Sequence, residues 1–507
     1  MIIDGRKVEK NIKIDADVVI IGSGAGGAPA AYRLAKNGKK VVVVEEGGHF
    51  TKNVFNGDSY EMVKLMYRDA GSVLTLGNTG ILLPLGRTLG GTTTINSGTM
   101  FRTPNEVIDE WRRDYGIKTI TSDLLKPYFE EVEEITHTME VPWELMGRNN
   151  QLFAEGAQKL GLHGFPLKRN MKDCKGSGVC PFGCPEDAKQ AMHVTYIPRS
   201  EQYGAIYYTY AHAEKIIIKN SRAIGIKGHF MKGKYGVEKS IYTFEIRATV
   251  VIVSAGAIYT PVILKRNGIG RHNNMVGKNL RIHPAAKVMG YFDEELSSWY
   301  GIPQAYCVDE FADEWIIFEG FWLPPSMLSI ALPSFGKDIK KMMLDYNHLA
   351  GFGIMVHDSS SGMVKVAGET PLLFYNMNKE DLEKFRKAIR IASEVYFAAG
   401  AKKIYPPIFS LESINSPSQL SKIDTIKLKP DMLELSAFHP MGTARMGSDP
   451  KEAVVNEELE TFDVNNLFVI DASIFPTSLG VNPQESIMAF SSYAADRIIA
   501  RWDSLSR

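Results

Sequence analysis

Four short runs of apolar, mostly β-branched residues punctuate this chain: DVVII at 17–21, KVVVV at 40–44, TVVIV at 249–253 and NLFVI at 466–470. Continuous runs, rather than alternating ones, are what a parallel strand buried on both faces needs. Between the first two lies APAAYRLAKNG at 28–38, which reads as a helix. Pro29 is tolerated near its start and Gly38 suits its C-terminal stop. Residues 102–170 carry further helical signals, with Pro104 near one helix start and Ser122 as a candidate N-cap of another. Residues 286–430 have the least readable pattern. They hold Trp299, Tyr300, Trp315, Phe318, Phe321 and Trp322, which read first as the core of a β-rich domain and second as an apolar or sugar-stacking pocket. No internal repeat or low-complexity linker interrupts the pattern.

Composition bounds the class of protein. A chain of 507 residues exceeds one small core, so two or three domains are expected. With 44% hydrophobic and 23% charged residues it reads as a soluble globular enzyme. Zero formal net charge, without basic or acidic blocks, argues against nucleic acid or anionic membrane as the main partner. No apolar run approaches the ~18 residues of a membrane span, and the first 19 residues hold no apolar signal core. A cytoplasmic protein is expected, or a soluble subunit of a larger complex. Thiols stay reduced in that compartment, which disfavours a structural disulfide.

The first strand, the helix and the second strand enclose Gly22, Gly24 and Gly27, a G-x-G-x-x-G, and the second strand ends on Glu45. Glycine lets backbone approach a pyrophosphate, the helix N-terminus offers free N–H groups, and the acid can bind a ribose hydroxyl pair. Strand, turn, helix, strand and acid in order point to a dinucleotide, without separating NAD from FAD.

Three later stretches follow in order: GRTLGGTTTINSG at 86–98, SAGAIYTPVILKRNGIG at 254–270 and AFHPMGTARMG at 437–447. Together with the nucleotide motif they resemble the glucose–methanol–choline family of flavin oxidoreductases, over about 15–285 and 430–500. The resemblance implies an α/β fold: a Rossmann-like FAD-binding domain assembled from several segments, plus a substrate domain on an antiparallel sheet with helices. The expected division is 1–101, 200–285 and 431–507 for the FAD-binding parts. Residues 102–199 would form substrate-side helices and a cysteine loop, and 286–430 the substrate domain. The resemblance places Arg87, Gly91, Thr92, Asn96 and Gly98 beside the flavin or its pyrophosphate. Ala213, in a strand pair at 210–228, would lie near the adenine, and Asp471, Ala472 and Pro483 would complete the cofactor contacts. Some members attach FAD through a histidine near 86–98; none occurs between His49 and His137, so non-covalent FAD is expected. His283, in VGKNLRIHP at 276–284, reads as structural.

His439 in FHPMGT and Asn482 in GVNPQES match the family's two catalytic positions. Alcohol oxidation needs such a pair: a hydroxyl proton is too weakly acidic to leave unaided, and histidine is a suitable base. An amide can hydrogen-bond the oxygen as it gains charge. The expected activity is oxidation of an alcohol or sugar, with electrons passed to an acceptor other than oxygen, through an acceptor protein or small subunit. An oxidase returning electrons to oxygen and a non-redox lyase are the alternatives.

CKGSGVCPFGC at 174–184 holds three of the four cysteines. Its glycines and prolines exclude a helix and allow a loop that turns Cys174, Cys180 and Cys184 inward. An iron–sulfur cluster suits three thiolates, and the loop resembles one carrying a three-iron cluster in sugar dehydrogenases of the family. Zinc, with Asp173, His193 or Cys307 as fourth ligand, stays open. So do plain thiols or a redox disulfide, since a similar loop occurs in long-chain alcohol oxidases.

Overall fold

A computed structural model describes residues 1–507 apart from 330, 331 and 335. The four apolar runs assemble in one eight-stranded sheet. Its order is Ile2–Asp4, Ile206–Thr209, Val41–Val44, Ile12–Ile21, Glu238–Val253, Arg222–Lys232 and Ala211–Lys219, with Leu467–Val469 also paired to Glu238–Val253. Pairing is parallel from Ile2–Asp4 through Glu238–Val253 and Leu467–Val469. The last two strands fold back as an antiparallel meander. Val18–Ile20, Val41–Val43 and Val250–Val253 are wholly buried, as a two-faced interior requires. The strand predicted at 17–21 starts earlier, at Ile12, because residues 12–16 alternate between half-buried and exposed positions and only the end is covered on both sides. Helices Gly27–Lys36 and Gln484–Ala500 pack together against this sheet through small residues, among them Ala30, Ala31, Ala489 and Ala494. The helix expected to be capped by Ser122 runs Ser122–Ile135 and is capped one residue earlier, where the Thr121 hydroxyl accepts from Leu124 N at 3.1 Å.

The second large sheet is antiparallel and seven-stranded. Its order is Lys403–Tyr405, Pro284–Tyr291, Leu349–Val356, Ile316–Gly320, Tyr306–Val308 and Gly164–Pro166, with Ser436–Ala437 added beside Pro284–Tyr291. Strand alternation divides its residues. Val288, Phe318, Phe352 and Ile354 belong to a core shared with helices Gly147–Lys159 and Lys379–Ala399, where Phe153 stacks on Phe352 with ring centres 3.6 Å apart. Ile317, Glu319 and Met355 take the other face. The aromatic residues of 286–430 therefore split: Phe318 and Trp322 are core, whereas Trp299 and Tyr300 are exposed. The fold is thus a Rossmann-like dinucleotide-binding sheet joined to an antiparallel substrate-side sheet. Among the described residues no helix is long and apolar enough to cross a membrane.

Candidate functional site

The first strand ends at Gly22, whose φ of +99° is open to glycine and whose Cβ would fall 2.1 Å from the Ser254 carbonyl oxygen. Gly27 is as confined, its Cβ position lying 2.0 Å from the Gly22 carbonyl oxygen. Gly24 is different: it looks across at Gly91, which has φ +57°, with nothing nearer its Cβ position than the Gly91 Cα at 3.7 Å. The two glycine stretches, whose facing members Gly24 and Gly91 are 67 residues apart in sequence, form the walls of one cradle at the start of helix Gly27–Lys36. Ser23 clamps them, accepting from Gly90 N at 3.0 Å and donating to Glu45 at 2.7 Å. The other Glu45 oxygen accepts from Gly47 N at 2.8 Å, and burial pushes this carboxyl above the usual range.

The remaining predicted contacts gather around that cradle in different ways. Arg87 spends its guanidinium on Glu46 at 3.1 Å and on the carbonyls of Tyr235 and Gly236, so it braces the loop from behind. Thr92 accepts from Gly86 N at 3.1 Å and closes the turn. Gly98, at φ +80°, lies against Asn170. Ala213 stands on the meander opposite Gly228, on a strand whose first residue, Ala211, bonds to the Glu45 carbonyl at 2.9 Å. Asp471 accepts from Gly256 N at 2.9 Å and Ser473 N at 2.8 Å, fixing the turn that Ala472 begins. Pro483 is the N-cap of helix Gln484–Ala500, and Gln484 accepts from Asn96 at 2.8 Å.

His439 and Asn482 meet across the two sheets. His439 follows Ser436–Ala437 of the substrate-side sheet; Asn482 precedes the helix on the nucleotide side. Asn482 Nδ2 lies 3.3 Å from His439 Nε2. Burial lowers the imidazole to about 4, so it is neutral at pH 7. His283 is fully buried: its Nε2 accepts from Gly480 N at 2.9 Å, two residues before Asn482. Its ring packs edge-on to His439 at 5.5 Å. On the other side of Gly480, Trp315 stacks on His357 at 4.1 Å, so the loop carrying Asn482 is pressed between rings.

Sequence reasoning missed Glu319. It is 5% exposed, accepts from Asn482 Nδ2 at 3.3 Å and from Gln304 Nε2 at 2.8 Å, and burial raises it to about 7. Its one signal was a carboxylate inside the apolar strand IIFEG; that stretch had no readable motif around it. Asn96 Oδ1, Asn482 Oδ1, Glu319 Oε1 and His439 Nδ1 are buried without a protein partner. Buried polar atoms are rarely left unpaired, so this cluster beside an open glycine cradle fits a bound dinucleotide and a polar substrate.

The cysteine loop is a loop, as expected, with one 3-10 turn at Cys180–Phe182 and glycines 176, 178 and 183 at positive φ. All four thiols are free. Cys180 Sγ faces Arg169 Nη2 at 3.5 Å, Cys184 Sγ faces Lys189 N at 3.5 Å, and Cys174 packs against the apolar group of Val141, Met146, Met171 and Ile302. Among the described residues no group of three or more His, Cys, Asp or Glu side chains is placed to hold a metal ion. Arg169 and Lys189 pull the Cys180 thiol down, whereas burial pushes Cys174 up.

Comparison with known proteins agrees with this geometry. Family models described as GMC oxidoreductase match residues 63–285 and 337–491, and an FAD binding domain model matches 17–57. An uncharacterized GMC-type oxidoreductase of Mycobacterium tuberculosis is 35% identical over 489 residues, covering 96% of this chain and 76% of its own. A long-chain-alcohol oxidase of Arabidopsis thaliana is 30% identical over 509 residues, covering 94% and 68%. Among solved structures, pyridoxine 4-oxidase from Mesorbium loti superposes with a TM-score of 0.71 at 18% identity, covering 96% of this chain and 99% of that one.

Proposed function

The chain belongs to the GMC oxidoreductase family, and on that premise we propose that it uses FAD to oxidise a primary or secondary alcohol, passing the electrons to an acceptor other than oxygen. The observation that carries this reading is the 3.3 Å approach of Asn482 Nδ2 to His439 Nε2 beside the glycine cradle. Bound flavin supplies the site that takes the hydride. The chain's own part is to hold the alcohol and receive its proton. His439, neutral and enclosed, takes the hydroxyl proton at Nε2. Asn482 cannot titrate; its amide N–H donates to the alcohol oxygen as negative charge grows there. With Asn482 7% exposed and His439 half-buried, both interactions are stronger than they would be in water.

A second reading has a specific observation behind it. The relative named long-chain-alcohol oxidase is similar over 94% of this chain, and in an oxidase reading the electrons of this chain would return to oxygen. The iron–sulfur centre expected on the cysteine loop has no ligand geometry in its favour, so no electron route passes through it in this proposal.

The test is anaerobic. Holoenzyme is mixed with 1-octanol, benzyl alcohol, choline, glucose and sorbitol, and the flavin band is followed. Bleaching by at least one alcohol is expected; none by any of them, at full FAD occupancy, sinks the proposal. Admitting air then separates the acceptors. Slow recolouring supports the dehydrogenase reading, and immediate recolouring with stoichiometric peroxide replaces it with the oxidase.

A further inference from the structure

Among the described residues Glu319 is the one carboxylic acid that touches the catalytic pair, and nothing in the reaction as derived above uses it. We propose that Glu319 is a positioning residue of this site: its carboxylate fixes which end of the Asn482 amide faces His439, and so which nitrogen of His439 is free to act as base. The proposal rests on the assignment of His439 and Asn482 as the catalytic pair.

The argument begins at the strand. Ile316–Gly320 pairs with Tyr306–Val308 on one side and Leu349–Val356 on the other, so its backbone is held by ladders on both edges. Alternation sends Phe318 into the core and Glu319 toward the opposite face, where its Oε2 reaches Asn482 Nδ2 at 3.3 Å. A carboxylate has no proton to give, so it can be satisfied only by the NH₂ end of an amide. With one Nδ2 hydrogen on Glu319, the second points at His439 Nε2, also 3.3 Å away. A ring nitrogen facing a donor must carry the lone pair, which leaves the proton of the neutral imidazole on Nδ1. Nε2 is then the basic atom on the substrate side, and an entering alcohol displaces the Asn482–His439 contact: its oxygen takes that N–H while its own proton faces Nε2. Turning the amide over would present Oδ1 to His439, draw the proton to Nε2 and remove the base.

The carboxylate is itself held. Gln304 Nε2 donates to Oε2 at 2.8 Å, and Gln304 Oε1 accepts from the Thr99 hydroxyl at 2.9 Å. Thr99 follows directly on the 86–98 loop, so a continuous hydrogen-bonded chain joins the flavin loop to the catalytic pair. Of the titratable groups around Glu319, Cys307, opposite it on the neighbouring strand, is pushed well up by burial, and Asp309 lies beyond it. His439, across Asn482, and His283 behind it are both lowered. Burial, opposed by the hydrogen bonds from Asn482 and Gln304, sets Glu319 to about 7. Ionised Glu319 accepts only; protonated, it can donate to Oδ1 and tolerate the turned amide. The rate of flavin reduction should therefore rise with pH through the neutral range.

Two measurements on holoenzyme test this. In the first, histidine is labelled with ¹⁵N and the His439 resonances are identified by their loss in His439→Ala. The wild type should show the Nδ1–H tautomer; Glu319→Gln, which can donate to Oδ1, should shift His439 toward Nε2–H. An unchanged tautomer overturns the proposal. This measurement needs no substrate, so it stands even if no alcohol bleaches the flavin and the proposed function falls. In the second, benzyl alcohol or 1-octanol reduces the flavin without air. Glu319→Gln should lower the limiting rate by on the order of 10²-fold, the scale of a misplaced reacting group. KM should change little and the neutral-range limb should vanish, while Glu319→Asp recovers part of the rate. A variant with the wild-type rate and pH profile would overturn the proposal. Should Glu319→Gln fail to hold FAD, Gln304→Ala, which frees the same carboxylate from its other donor, is read in both ways; no change in tautomer or rate has the same force.

Discussion

Burial alone lowers His439 to about 4, against ~6.5 for a free histidine. The base is therefore unprotonated across the neutral range, and any pH limb there belongs to another group. Replacing it by alanine should slow flavin reduction by on the order of 10²–10⁴-fold, the usual worth of a positioned base. FAD should stay bound, because the glycine cradle is mostly backbone. Stopped-flow bleaching at the wild-type rate would remove His439 from the reaction. The same burial has a stability consequence. Between pH ~6.5 and 4 the unfolded chain protonates this imidazole and the folded one does not, so its contribution is full above ~6.5 and lost as pH falls. Measured against His439→Ala, wild-type unfolding free energy should drop by about 1–2 kcal/mol from pH 7.5 to 5. A constant difference would mean that the ring is hydrated rather than enclosed.

Turns and loops place these side chains, and they differ in how much change they tolerate. Gly22 and Gly38 both have positive φ, +99° and +79°, but a Cβ at Gly22 would meet the Ser254 carbonyl whereas nothing lies within 4 Å at Gly38. Gly38→Ala should cost only the left-handed backbone penalty, about 1–2 kcal/mol. Gly22→Ala should push apart the strand ends at 21 and 254 and yield protein without yellow colour. Equal FAD content in the two variants would contradict the cradle. A second element-scale constraint is Lys189. Although buried, its Nζ donates to the Thr94 carbonyl at 2.8 Å, the Asn96 carbonyl at 2.7 Å and the Cys180 carbonyl at 2.9 Å, bolting the cysteine loop to the flavin loop. Lys189→Met leaves three carbonyls without that donor, each worth on the order of 1–3 kcal/mol when buried. Lower stability in denaturant and faster FAD release, read by flavin fluorescence, are expected. An unchanged release rate would show that the two loops hold independently.

At the scale of the molecule, the cradle draws on residues 22–27, 86–98, 213 and 471–483, which only the complete fold brings together. FAD that binds this assembly and not its pieces must stabilise the whole by mass action. Apoprotein should melt below holoprotein, with Tm rising as FAD is added. Acid or heat precipitation should leave intact FAD in the supernatant, since no histidine between His49 and His137 is available for attachment. Flavin carried down with the pellet would refute non-covalent binding.

Local pattern was enough for what local physics decides. Continuous β-branched runs had to be two-faced strands, Gly22 had to lie in the turn between strand and helix, and a glycine-rich cysteine stretch could not be a helix. Together with the family resemblance, this gave the nucleotide sheet, its cradle and the identities of His439 and Asn482. The antiparallel sheet was expected from the family resemblance and not from the pattern, because most of its strands are short and their partners far away; Glu319 looks like any acid until Ile316–Gly320 is laid between two neighbours and its face is chosen. The same holds for the surroundings of the cysteines: their spacing did not show that Arg169 and Lys189 N would face Cys180 and Cys184, or that Cys174 would meet an apolar niche. Composition and period are properties of neighbours along the chain. Which end of an amide faces a histidine 43 residues away, and which carboxylate holds it there, depends on distances that exist only after the two sheets have closed on each other.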